Sequence, residues 1–411
     1  MVNRRSIASY FDFPLLTLVG VLLGAGLLTL YSSIYMGASA QMDVFWRQII
    51  WLTLGTVAMF TAIFTPLKTF RRVSYIAWGV SIALLVLVLA MPVVRGGAGR
   101  WIMFMGFQIQ PSEIAKLTTI MALARYLGDQ KSPFLTLKMV VTCGVLVIVP
   151  TILVQQQPDL GTCLVILALL IPMLYWAGMP HFGIFALVTP GITVLVVSFL
   201  GVFWFLGWLA VLTLGTVLLR QRLWMLILVV LVNIGVGVGA PYAWDSLKPY
   251  QQKRVQAFLD PNLDPRGAGY QILQSQTAIG SGGLSGKGYL QGTQTHLRFL
   301  PKQHTDFIFS VLGEEFGFLG VVTVLSFFFM LIHRGIWVAV NAKNAFVGFC
   351  AIGITTVFLV HTVVNIGMTV GLLPVTGLPL PFLSYGGSAL MVNMTMVGLL
   401  NNASAHRLEY S

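Results

Sequence analysis

Long apolar runs and short polar breaks alternate along almost the whole chain, the one long exception lying between positions 241 and 305. The runs fall at about 15–36, 45–65, 74–91, 112–128, 139–155, 160–178, 183–200, 202–219, 223–240, 307–332, 346–370 and 387–403. A bilayer's hydrocarbon core takes about 20 apolar helical residues to cross. In lipid, backbone groups must be satisfied within the segment, which selects helices. The pattern predicts an all-α polytopic transmembrane bundle of about 12 spans, in one integral membrane domain covering 1–411.

The basic residues give the bundle a direction. Arg4, Arg5, Lys68, Arg71, Arg72, Lys131, Lys138, Arg220, Arg222, Arg334, Lys343 and Arg407 fall in breaks on one side. Positive charge in short loops marks the cytoplasm, so both termini are expected there. The apolar run after MVNRRS has no cleavage site and is expected to be retained as a first helix.

Positions 91–111 and the 241–305 segment then lie outside. The long segment is also basic, with Lys248, Lys253, Arg254, Arg266, Lys287, Arg298 and Lys302. Segments longer than about 60 residues do not set topology, so its charge points to an anionic ligand.

Composition agrees with a membrane protein. The chain is 57% hydrophobic and 9% charged, against about 25% charged in a soluble domain. The net charge of +12 sits mostly in the short loops and does not imply nucleic acid. Cys143, Cys163 and Cys350 lie inside apolar runs and suggest neither disulfides nor a metal cluster. The six histidines show no metal-binding spacing.

Candidate chemistry concentrates in LRFLPKQHTDFIFSVLGEEFG, residues 297–317. Three of the chain's twelve acidic residues, Asp306, Glu314 and Glu315, lie there within ten positions. Carboxylates at membrane depth are costly. Asp306 stands just before an apolar run. It reads either as a helix cap or as a general base whose burial raises its pKa. His304 beside it is a second polar contact or a loop residue. Glu314 and Glu315 lie too far along the helix to share a proton with Asp306 and read as structural pairing groups.

Other segments offer partners. RWIMFMGFQIQPSEIAK suggests an extended turn and then a helix capped by Ser112, with Glu113 and Lys116 paired at i,i+3. That pair either neutralises two intramembrane charges or shapes a cavity. Trp101 reads as an interfacial anchor or a substrate platform. Asp159, after Pro158, reads first as a cap. In SGGLSGKG the glycines leave backbone N–H groups open to a phosphate, and Arg254 and Lys287 are the basic candidates. The string is not a nucleotide-binding P-loop, because its spacer and final hydroxyl are missing. The proline-broken GLLPVTGLPLPFLSYGGSAL, which contains Ser384, either lines a cavity or simply joins two helices.

QPDLGT, FLDPNLDPRGAGYQILQSQTAIGSGGLSGKGYLQGTQTHLRFLPKQHTDFIFSVLGEEFG and VNIGMTVGLLPVTGLPLPFLSYGGSAL together resemble the SEDS family of cell-wall polymerases. Within the family, GTQTHLRFLPKQHTDF is more similar to the elongation branch than to the division branch. The resemblance covers the chain from its first helix to Gly398. The family usually has ten spans, so an inserted hairpin is expected at about 202–240.

The resemblance implies a peptidoglycan glycosyltransferase that polymerises lipid II at the outer face of the bacterial cytoplasmic membrane, serving cell elongation. It assigns the family's essential aspartate to Asp306. It places Trp101 and the Glu113/Lys116 pair at positions linked to activity and cavity shape. It implies as partners lipid II, the nascent glycan strand, membrane lipid, a class B penicillin-binding protein and other elongation-complex proteins. No resident cofactor is implied, although a divalent cation, magnesium or manganese, fits a diphosphate leaving group. A lipid II flippase or other transporter is the competing reading, a scaffold for the transpeptidase is another, and within the family a division-specific polymerase is the nearest alternative. Transport predicts essential charges near the bilayer midplane and on both faces. Polymerisation predicts them clustered at the outer one.

Overall fold

A computed structural model describes residues 11–35, 39–91, 100–104, 106–130, 136–219, 222–247, 249–264, 267–297 and 299–406. Outside them lie Arg4, Arg5, Lys131, Arg220 and Arg407 of the sidedness argument. Lys248, Arg266 and Arg298 of the basic segment also lie outside.

The chain runs through α1 (Phe13–Tyr35), α2 (Ser39–Phe64) and α3 (Leu67–Ala90) into a hairpin of β1 (Ile102–Phe104) and β2 (Phe107–Ile109). Then come α4 (Pro111–Gly128), α5 (Leu137–Gln156), α6 (Leu160–Ala168), α7 (Leu170–Trp176), α8 (His181–Leu200), α9 (Val202–Leu218) and α10 (Leu223–Asp245). The outer segment forms α11 (Pro249–Leu259), α12 (Ala268–Ser281) and α13 (Thr293–His296). The chain closes with α14 (Ile308–Asn341), α15 (Ala345–Thr369) and α16 (Gly387–Ala405).

Every predicted apolar run is helical. Among the described residues, eight helices are long and apolar enough to span a membrane. The remaining predicted spans are α4, α6 with α7, α9 and α16, which are shorter or carry more polar residues. The 160–178 run is divided at Leu169 into α6 and α7.

Burial ranks the helices. In α15, 83% of the apolar window is buried, against 11–33% in the other seven long apolar helices. It is a central post together with the largely buried α4 and α16, and the other long spans turn an apolar face to lipid. Close approach uses small residues, as expected where lipid is as apolar as the partner helix. Gly398 of α16 lies on the Met59 carbonyl of α2, where a Cβ would collide. Asn402 Nδ2 then donates to the carbonyls of Ala62 (2.8 Å) and Thr65 (2.6 Å). At the opposite end from the hairpin, Arg334 of α14 grips Asp12 through Nη2 at 2.8 Å, and Ser404 donates to the same carboxylate at 2.6 Å.

The outer segment departs most from expectation. SGGLSGKG was expected to offer its N–H groups to a phosphate. Instead it is strapped across a break in α14. Gly317 takes φ 62° and interrupts the helix. Lys287 N donates to the Glu314 carbonyl (3.0 Å) and Gly288 N to the Glu315 carbonyl (3.0 Å). In return, Phe318 N donates to the Gly283 carbonyl (2.9 Å) and Leu319 N to the Leu284 carbonyl (3.1 Å). The groups released by the break are thus paired, as buried backbone requires. Gly286, at φ 81°, lies so close to the Glu315 carbonyl that a Cβ has no room.

Glu314 and Glu315 fill the structural roles expected of them. Glu314 accepts from Lys287 Nζ (2.7 Å), Gln294 N (2.9 Å), Thr295 N (3.2 Å) and Thr295 Oγ1 (2.9 Å). Ser32 of α1 donates to Glu315. Glu314→Gln is expected to destabilise the strap by about 1–3 kcal/mol, because buried donors lose a charged acceptor. Faster amide hydrogen exchange over 287–295 than in wild type is the readout.

Candidate active site

The site lies at the end of the bundle where the β hairpin, the outer segment and the 370–386 loop meet. It is a cavity of about 350 Å³ lined by residues far apart in sequence. Trp101, Glu113, Asp159, Arg254, His304 and Asp306, all singled out from the sequence, share its wall.

Asp306 does not cap α14. The cap position belongs to Phe307 and receives no side-chain hydrogen bond. The aspartate lies in the turn before the helix, half-buried and lining the cavity. Opposite it, Gly377 at φ 77° leaves open the space that a Cβ would occupy 3.5 Å from Asp306 Oδ2. The segment is anchored from behind. Asn365 Nδ2 of α15 donates to the Asp306 carbonyl (3.0 Å) and the Leu378 carbonyl (2.8 Å). Tyr385 N donates to the His304 carbonyl (2.9 Å).

Burial pushes the Asp306 carboxyl above the usual carboxylate range, and Lys302, Thr305, Arg254 and His304 all pull it back. Burial pushes His304 below the ordinary imidazole value; Lys302 adds to the lowering and Asp306 opposes it. A carboxylate of raised basicity beside a neutral imidazole suits proton abstraction.

Asp159 is both a cap and part of the wall. It accepts from Thr162 N (3.2 Å), Thr162 Oγ1 (2.9 Å) and Gln110 Nε2 (2.9 Å). Ser112 was expected to cap α4, but Pro111 begins the helix and Gln110 takes the cap position. Trp101 is exposed at the rim beside the hairpin, where Ile102 pairs with Ile109 and Phe104 with Phe107.

The Glu113/Lys116 pair forms as predicted, with Lys116 Nζ 2.8 Å from Glu113 Oε2. Lys116 is fully buried and also reaches His361 Nε2 at 2.9 Å. His361 Nδ1 lies 3.0 Å from the Pro379 carbonyl, which can only accept. Nδ1 therefore carries the proton and Nε2 receives the ammonium. This chain ties the cavity floor at Glu113 to the cavity wall at Pro379.

Two candidates lie elsewhere. Lys287, expected to meet a diphosphate, is committed to Glu314 and Thr293 in the strap. Ser384 stands behind the wall, its Oγ accepting from Leu380 N at 2.9 Å, and shapes the loop. The sequence reading also missed residues. Arg100 lines the cavity and donates Nε to the Gln157 carbonyl at 2.5 Å and Nη2 to the Pro158 carbonyl. Its position beside Trp101 in a segment expected outside was the available signal. Lys302 also lines the cavity, and its signal was the run of basic residues in the outer segment.

A carboxylate and three basic side chains share this cavity wall, inside a helical bundle with lipid-facing spans, and the fold is that of an integral membrane protein. The model of the cell cycle protein family of FtsW, RodA and SpoVE matches residues 13–208 and 201–409, and the chain belongs to this SEDS family of peptidoglycan glycosyltransferases. The peptidoglycan glycosyltransferase MrdB of Escherichia coli K12 is 36% identical over 92% of this chain and 91% of its own length. A probable peptidoglycan glycosyltransferase FtsW of Trichlorobacter lovleyi is 35% identical over 96% and 93%. Among solved structures, a chain of a peptidoglycan synthase complex that coordinates polymerization and crosslinking superposes with a TM-score of 0.71. It is 29% identical, over 97% of this chain and 99% of that one.

Proposed function

We propose that the protein polymerises lipid II in the Asp306 cavity at the outer face of the bacterial cytoplasmic membrane, by inverting glycosyl transfer. The observation that carries this is the convergence of Asp306 with Arg100, Arg254 and Lys302 on one cavity at one end of the bundle. Asp306 takes the proton from the acceptor's GlcNAc 4-hydroxyl, and that oxygen attacks C1 of the donor's MurNAc. The bond from C1 to the diphosphate oxygen breaks, and its electron pair leaves with undecaprenyl diphosphate. An α linkage becomes β in one displacement. One base and a stabilised leaving group are sufficient, without the closely paired carboxylates of a retaining enzyme. Arg254 and Lys302 neutralise the diphosphate.

Among the described residues, no group of three or more His, Cys, Asp or Glu is arranged to hold a metal. We read any magnesium or manganese as arriving with the diphosphate. The elongation role follows the GTQTHLRFLPKQHTDF resemblance. A class B penicillin-binding protein is the partner the family resemblance implies, and the similarity to a chain of a synthase complex that coordinates polymerization and crosslinking supports a crosslinking partner. The run of basic residues in the short loops supports N- and C-termini on the cytoplasmic side.

The test is purified lipid II incubated with the purified protein and its cognate transpeptidase. Glycan strands are expected. Translocation of lipid II across vesicles without strand formation would overturn the reading in favour of a flippase. The same assay gives a pH profile. A general base works ionised, so kcat/KM should rise with pH through a limb above the ordinary carboxylate range. Lys302→Met should move that limb to higher pH, because Lys302 favours the ionised form.

A further inference from the structure

A second cavity, of about 290 Å³, lies where the C-terminal ends of α8 and α10 meet α11. Val197 and Ser198 come from α8, Ala240 and Trp244 from α10, and Val255 and Leu259 from α11. The walls are fixed by a buried polar cluster. Asn233 of α10 accepts from Thr193 of α8 (2.5 Å) and donates to Thr189 (3.2 Å), while Trp208 of α9 donates to Thr193 (2.8 Å). Helices α8, α9 and α10 therefore form one group, which includes the hairpin expected as an insertion.

Helix α11 divides the two cavities. Arg254 lines the first, and its neighbours Val255 and Leu259 line the second. The second cavity also sits at an interfacial depth. Trp204 and Tyr242 are exposed at the same end of the group, 59% and 75%, and such side chains mark the membrane–water boundary. A lipid-linked substrate whose diphosphate is neutralised at Arg254 must send its chain back toward hydrocarbon. The mostly apolar cavity across α11 is a route at the right depth.

We propose that the cavity between α8, α10 and α11 holds the polyprenyl chain of the donor as it leaves the diphosphate site. This inference rests on the reading of the substrate as a polyprenyl-diphosphate-linked sugar. Burial of a branched apolar chain between Ala240, Trp244 and Leu259 stabilises the bound donor and discriminates by lipid length. The α8–α10 group thereby becomes a specificity element.

The test fills the cavity. Ala240→Phe is compared with wild type on two donors of identical headgroup. One carries the full undecaprenyl chain and the other a single isoprene unit too short to round α11. On the long-chain donor kcat/KM should fall about tenfold, the scale for losing a small apolar contact, and on the short-chain donor it should not change. An equal fall on both donors with an unchanged unfolding midpoint overturns the proposal, as does no fall on either. If Ala240→Phe unfolds, Ser198→Trp at the cavity rim carries the same comparison. Wild type that polymerises neither donor would instead refute lipid II polymerisation, and the two failures are distinct.

Discussion

Asp306→Asn should abolish strand synthesis while leaving a folded protein. Removing a general base costs about 10²–10⁴-fold in rate, so kcat should fall about a thousandfold or more. Asparagine keeps the shape and the backbone bond to Asn365, so positioning is not lost with the charge. Stability should not fall with activity. Burial raises the Asp306 pKa in the folded state, so ionisation at neutral pH opposes folding. The stability cost grows as pH rises from the unfolded carboxylate value through the raised folded one. A neutral amide escapes it, and the variant's unfolding midpoint at neutral pH should equal or exceed wild type. Strand assays and thermal unfolding in detergent, on the same preparation, check both halves. Undiminished polymerisation would remove Asp306 from the mechanism.

Lys116→Met should have the opposite profile, a large loss of stability. It strands Glu113, which is 3% exposed, and removes the donor to His361 Nε2. Breaking a buried ion pair from one side costs about 3–5 kcal/mol. Adding Glu113→Gln to the same chain removes the stranded charge and should restore most of the loss. The double-mutant cycle then gives the coupling directly. Activity should fall with the single change too, because the pair reaches Pro379 on the cavity wall through His361. A double variant whose loss equals the sum of the losses of Lys116→Met and Glu113→Gln measured singly would place no coupling between Glu113 and Lys116.

Much of this was legible from residues alone. Apolar run length predicts the helices because lipid leaves a buried backbone few alternatives, and each run is helical. The Glu113/Lys116 pair is legible because i,i+3 spacing fixes its geometry. What escaped depended on long-range approach. The commitment of Lys287 to Glu314 spans 27 positions, and no local pattern announces it. His361 lies in an apolar run, and its partner Lys116 is 245 positions away on α4. The break at Gly317 was hidden because the 307–332 run carries enough apolar residues to read as one helix. Arg100 and Lys302 were visible only as positive charge, and charge alone does not say which cavity a side chain lines.

The strap across Gly317 also governs which changes the outer segment can accept. Its four bonds join backbone to backbone, 287 with 314, 288 with 315, 318 with 283 and 319 with 284. The seam is therefore indifferent to many side chains but reads chain length. One residue added between Leu284 and Lys287, or between Glu315 and Phe318, would throw two of the bonds out of step with the other two. Substitutions that spare the close-packed glycines should be tolerated here, whereas a single inserted or deleted residue should not, although 283–288 lies outside the spanning helices.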